Sequence, residues 1–207
     1  MLDDIYRISG EKLLGDVYLS DFDGRFWNIR SHGFWKLERR QHFEEPNDDS
    51  WVAFSRGRWD EALELLEDRR PRLRRHYDRL AESNIPTRRV RIVENPVSKY
   101  MQWELHLLLI RDELGGSCRV LHTDRVRRYE TSNILPELVT LGDDVMYELL
   151  YDGDGLQEGG VRYTDRQAVA RSREFIMGLY ESGEDLASYF RREIAPLPPP
   201  DMIRKDE

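Results

Sequence analysis

At 207 residues, with 35% of them charged and a formal net charge of −8, the chain has room for one domain with a real core beneath a heavily charged surface. Its mean hydropathy is −0.72; no apolar run approaches the ~18 residues of a membrane span, and the opening MLDDIYRISGEKLL has neither the basic start nor the apolar centre of a secretion signal. The single cysteine, Cys118, excludes an internal disulfide, and a cytoplasmic protein is the expectation.

Residues 1–33 read as an N-terminal extension. Ile5, Ile8 and Leu13 are spaced for a turn or two of helix, but Gly10 and Gly15 interrupt, and a partner-binding or dimer arm is expected there. The stretch from Phe22 to Trp59 is rich in aromatic residues, Trp27 and Trp35 among them. Such residues build cores, and they also anchor protein interfaces. Trp59 to Glu82 is periodic for helix through Ala62, Leu63, Leu66, Leu73, Tyr77 and Leu80, and Pro71 must start a second helix or kink a single one.

Around Arg89 the period changes to two. Val90 and Ile92 alternate with Arg89, Arg91 and Val93, as in a half-buried strand, and Pro96 stops the pairing. Ser98 is placed to cap a helix carrying Tyr100, Trp103, Leu107, Ile110 and Leu114 on one stripe, and Gly115-Gly116 ends it. SCRVLHT, residues 117–123, reads as the next strand, giving a parallel pair joined by a crossover helix. A connection follows to Leu135-Pro136. Residues 139–163 carry two or three strands, with Asp152-Gly-Asp-Gly155 as a hairpin turn. Thr164-Asp-Arg-Gln167 has capping-box form before a helix that turns Val169, Phe175, Ile176 and Leu179 inward and ends at Gly183. A short helix over 185–194 and an extended, disordered proline-rich tail over 195–207 complete the pattern. The fold class is α+β, close to α/β, with a mixed sheet of about five or six strands in a single domain over 34–194.

The segment Arg89-Val-Arg-Ile-Val-Glu-Asn-Pro-Val-Ser-Lys-Tyr-Met-Gln-Trp-Glu104 resembles the core of an uncharacterised family of small actinobacterial proteins. That domain of unknown function shares a pattern of the type RVR-V-x-x-P-x-S-x-Y-x-x-x-E. A second family segment, F-x-L-E-x-R-D-x-Y, is similar to Phe34–Phe43 here, with Gln41 and Phe43 in place of its Asp and Tyr; Trp51 and Phe54 fit an aromatic pair that follows. The resemblance covers roughly residues 34–190 and implies a fold and a genomic setting beside helix-turn-helix regulators, but no chemistry. The C-terminal half is also similar to the end of phospholipase D-like domains, through Gly142-Asp-Asp144, the DGDG turn and Thr164-Asp165. Non-catalytic versions of those domains sense ligands in transcriptional regulators.

No catalytic motif accompanies this pattern. None of the five histidines is followed two residues on by lysine, which the phosphoryl chemistry of an HKD site requires. H-E-x-x-H, C-x-x-C, P-loop and G-x-S-x-G patterns are also missing, so no metal or cofactor is expected. His106 sits among leucines as a core or interface residue, and Cys118 as an inert strand thiol. Glu104 is either a polar anchor in a pocket beside the Arg89/Arg91 strand or a structural ion pair. Arg89, Arg91, Tyr100 and Glu104 are therefore the candidate ligand-binding residues.

Residues 69–91 hold nine arginines against two acids, a net +7 in an acidic chain. They form a solvated helix face or steer an acidic partner. Arg70, Arg72, Arg74 and Arg75, with Trp27 and Trp35, are the candidate partner contacts. Nucleic acid is the less favoured partner, since the net charge repels phosphate and no recognition motif matches. Two functions follow: a non-catalytic regulatory or interaction protein, binding a protein such as a DNA-binding regulator or sensing a small ligand, or an enzyme acting on a phosphoester or nucleotide. A cavity joining Arg89, Arg91 and Glu104 would favour the enzyme.

Overall fold

The computed structural model describes residues 8–131 and 133–201. Eight strands form one mixed sheet in the order β1-β7-β6-β5-β2-β3-β4-β8, so the class is α+β with more strands than the five or six expected. The extra strands lie at the edges. They are β1 (Glu11–Leu14), antiparallel to β7 (Gln157–Tyr163), and the two-residue β8 (Glu184–Asp185), antiparallel to β4 (Ser117–His122). β2 (Phe34–Glu38), β3 (Thr87–Val93) and β4 run parallel at the centre, with β5 (Leu138–Leu141) and β6 (Val145–Tyr151) antiparallel beside them.

Strand alternation divides the core between two faces. Trp35 and Leu37 of β2, Val90 and Ile92 of β3 and Leu121 of β4 point to one face, where α7 (Arg166–Ser182) covers them with Val169, Phe175, Ile176 and Leu179. Asp165 caps α7 by accepting the Ala168 amide at 2.8 Å, one position later than the capping box suggests. The opposite face carries α5 (Lys99–Glu113) as the crossover between β3 and β4. Ser98 caps α5, accepting the Met101 amide at 3.1 Å. The Asn95–Pro96 peptide before it is cis.

Trp103 of α5 is fully buried, and its Nε1 donates to Ser50 Oγ at 2.9 Å. α2 (Asp49–Ser55) and α3 (Trp59–Asp68) pack outside α5 through Trp51, Phe54, Ala62 and Leu66. Pro71 sits in the first turn of a separate helix, α4 (Arg70–Glu82), where a missing amide costs nothing.

Residues 11–26, placed by the sequence in an extension, form β1 and α1 (Gly15–Phe26). Gly15, at φ +50°, turns the chain from β1 into α1 rather than ending a helix. The close approach of β1 to β7 depends on Gly159, where a Cβ would lie 2.1 Å from the Leu13 carbonyl oxygen. α6 (Thr123–Val126) follows β4. α8 (Leu186–Tyr189) and a π-helical turn, Phe190–Ile194, form the short helix after β8. Part of the proline-rich tail lies on α5: Gln102 donates to the Pro198 carbonyl at 2.8 Å and Lys99 to that of Asp201. The tail's last residues, 202–207, and the Ile5 turn fall outside the described residues.

Candidate functional site

The α5 face of the central strands is charged. In the β2–β3 register Lys36 pairs with Arg89 and Glu38 with Arg91, and all four project away from the Trp35/Leu37 face. Lys36 Nζ donates to Glu38 Oε1 at 2.6 Å, and Arg89 donates to the other carboxylate oxygen. Arg91 donates through Nε to Glu104 Oε2 at 2.7 Å and through Nη1 to the Glu38 carbonyl at 3.3 Å. Its Nη2 is buried without a partner, and the side chain is wholly inaccessible. Burial alone would raise the Glu38 carboxyl, but Arg89, Lys36 and Arg91 outweigh it and hold the group far below the ordinary carboxylate range.

Tyr100 and Glu104, one turn apart on α5, reach the same floor. Tyr100 donates to Glu45 Oε1 at 2.6 Å. Burial pushes both groups up, the phenol well above its usual range. Above this floor opens a cavity of ≈ 490 Å³. Lys36, Glu38 and Arg89 form its base, and Tyr100, Glu104 and Arg111 its α5 wall. The start of α1, residues 44–48 and the β6–β7 hairpin form the rim. Phe43 and Tyr151, with ring centroids 4.8 Å apart, supply an aromatic side.

Three of the four ligand-binding candidates therefore line one cavity: Arg89, Tyr100 and Glu104. Arg91 does not. It lies behind the wall and fixes Glu104, so Glu104 is a paired carboxylate and a cavity wall at once. Sequence reasoning missed Lys36, Glu38 and Glu45. The signal for the first two was the alternation of FWKLE, in which apolar Trp35 and Leu37 leave Lys36 and Glu38 on the other face. It also missed Glu137, whose Oε1 accepts the amides of Arg39 and Arg40 at 2.7 and 2.6 Å while Oε2 is buried and unpartnered. Burial pushes this carboxyl up to about 7, against the pull of Arg91.

The partner-binding candidates divide. Arg70 is tied to Glu67 at 2.8 Å and Glu113 at 2.7 Å, whereas Arg72, Arg74 and Arg75 are exposed and have no ion pair among the described residues. Trp27 is half-buried, with the Arg79 guanidinium 3.6 Å over its ring. Trp35 is not a surface anchor: it lies buried under α7, because its strand position alternates inward with Leu37. Of the other aromatics of the first third, Tyr18, Phe43, Trp51 and Phe54 are core, while Phe22, Phe26, Phe34 and Trp59 are half-buried against it. His106 packs edge-on against Phe190, and burial lowers its basicity. Cys118 is buried, and its thiol is pushed up by desolvation.

Chemically, the floor offers fixed charges already matched to one another, donors and acceptors side by side, and aromatic walls. That arrangement orients a polar molecule. Among the described residues no three His, Cys, Asp or Glu side chains group to hold a metal ion, and no helix is long and apolar enough to cross a membrane. In comparisons with known proteins, a family model, the domain of unknown function DUF6879, matches residues 20–191. No curated protein matches the chain.

Proposed function

The chain belongs to the DUF6879 family, which is defined by sequence and not by an activity, and we propose from the cavity itself that it is a non-catalytic protein that binds a small polar ligand. The observation that carries this reading is the ≈ 490 Å³ cavity over the Lys36–Glu38–Arg89–Glu104 floor. Its volume suits a small metabolite, and polar groups converging on a concave site are the usual basis of orientation and specificity. The same floor disfavours catalysis. Glu38 is held ionised by three cations, which makes it a poor proton carrier, and Glu104 is engaged in its ion pair with Arg91. Among the described residues the nucleotide- or phosphoester-processing alternative meets a hydroxyl–carboxylate contact on this cavity, Tyr100 to Glu45 at 2.6 Å, but burial pushes the phenol well above its usual range, which disfavours it as a nucleophile.

Thermal unfolding of the purified chain with a fractionated small-molecule extract of its host tests the reading. One fraction should raise the midpoint for the wild type and leave the Lys36→Met variant unmoved. No stabilising fraction at all would count against a ligand.

A second reading rests on a separate observation, the exposed arginines Arg72, Arg74 and Arg75 on α4, which have no ion pair among the described residues. Arg72, Arg74 and Arg75 present positive charge on an acidic protein, which suits the acidic face of a protein partner, with a DNA-binding regulator the first candidate. A cytoplasmic, regulatory role belongs to this reading. Replacing the three by Ser should weaken partner capture in a salt-dependent way without unfolding the domain; unchanged capture would exclude this face.

A further inference from the structure

A second cavity of ≈ 180 Å³ lies beside the first, between α1, α4, α5 and the starts of β3 and β4. Phe22, Phe26, Phe34, Tyr77 and Leu108 wall it. Its one histidine, His76, stands against Phe26 at 6.4 Å between ring centroids; burial and the nearby Arg111 and Arg79 charges hold the imidazole below its ordinary value. The two cavities share Arg89, Leu108 and Arg111.

The two shared arginines differ. Arg89 is committed to Glu38. The Arg111 guanidinium has no ion pair or hydrogen bond among the described residues, and its Nε is buried without an acceptor. Several acidic residues lining the two cavities with it already have partners: Glu104 pairs with Arg91, Asp48 with Arg69, and Asp112 Oδ1 accepts the Cys118 amide at 2.8 Å. A half-buried guanidinium whose Nε is shut off without an acceptor, between an aromatic chamber and a polar one, is placed to receive an anion.

We propose that the ligand is a ring-bearing carboxylate, its anionic group paired with Arg111 at the junction, its apolar ring in the Phe22/Phe26/Phe34 chamber and its remaining polar groups over the Lys36–Glu104 floor. This rests on the ligand-binding reading above and narrows it to one chemical class. Arg is suited to the role because its planar donors match a carboxylate in a two-bond geometry that lysine does not reproduce. The aromatic chamber adds offset and edge contacts that a ring satisfies and a flexible chain does not.

The test titrates the full chain with 2-naphthoate and its uncharged counterpart 2-naphthamide, following ligand fluorescence. Saturable binding of the carboxylate, about tenfold or more tighter than the amide, is expected, tenfold being ~1.4 kcal/mol. Arg111→Gln should remove that preference with an unchanged circular dichroism spectrum, and Phe26→Asn should weaken both compounds. Should the glutamine variant fail to fold, Arg111→Lys keeps the charge and should lose most of the preference. Equal affinity for acid and amide, or a preference that survives in Arg111→Gln, overturns the proposal. A host molecule that copurifies with wild type and Arg111→Gln alike but not with Lys36→Met would also overturn it, while leaving the ligand-binding reading intact.

Discussion

Removing the Glu104 carboxylate should be among the most damaging single changes in this domain. Glu104→Leu deletes the one carboxylate bonded to Arg91 among the described residues, and the Arg91 side chain is wholly inaccessible. What would remain are two long contacts to carbonyl oxygens, Glu38 at 3.3 Å and Ile92 at 3.4 Å, and an Nη2 that is already unpartnered. Breaking a buried pair from one side costs about 3–5 kcal/mol. The lower end is expected, because Glu38 stays in the same charge cluster. Arg91→Met should cost less, since Glu104 lines the cavity and water can reach its carboxylate. The double variant, with two apolar side chains of similar volume, should recover most of the loss, giving a coupling energy of roughly 2 kcal/mol or more. Urea unfolding of the four proteins, read at equal slopes, supplies the cycle. A Glu104→Leu cost below about 1 kcal/mol, or strict additivity in the double variant, would refute the claim that this pair is buried and interdependent.

Other outcomes follow from the same packing. Trp103→Ala empties a fully buried site and strands the Ser50 hydroxyl, so a loss of about 3–5 kcal/mol is expected in denaturant unfolding. Glu137 contributes in the acid range. Its carboxyl stands at about 7 when folded against an ordinary 4.5, so the folded state binds the proton more tightly. Its contribution is therefore present below about pH 4.5 and is lost as pH rises through 7, on the order of 3 kcal/mol in full. Glu137→Gln should flatten stability between pH 5 and 7.5 in urea titrations at about half-unit steps. Truncation before Pro196 removes the two contacts to α5 and should lower stability by less than about 1 kcal/mol, measured by thermal unfolding.

The parts of this fold legible in the sequence are those whose signals are local. The β3–α5–β4 unit announces itself because Val90 and Ile92 alternate, Ser98 caps, Trp103 and Leu107 share a stripe and Gly115 stops the helix. β1 and α1 were illegible for the opposite reason. α1 turns Tyr18, Phe22 and Phe26 inward but leaves Val17 and Leu19 exposed beside them, which blurs the stripe, and β1 exists because Gly159 on a distant strand leaves room for it. β8 is two residues long and is specified by its partner β4. The site divides in the same way. Arg89, Tyr100 and Glu104 are found from one contiguous segment, while Lys36, Glu38 and Glu45 join them only through the β2–β3 register and the loop after β2. The buried Trp35 shows the limit of composition: an aromatic-rich stretch counts alike for core and interface, and only strand alternation tells which way each ring points.

The central claim is that the cavity over the charged floor holds a small molecule, and native mass spectrometry of the chain purified from its own host tests it most directly. The account predicts a discrete mass increment of one small molecule per chain on the wild type, reduced or absent in Lys36→Met under identical conditions. A bare wild-type mass, or an increment retained undiminished by Lys36→Met and by variants of the other floor residues, would contradict it.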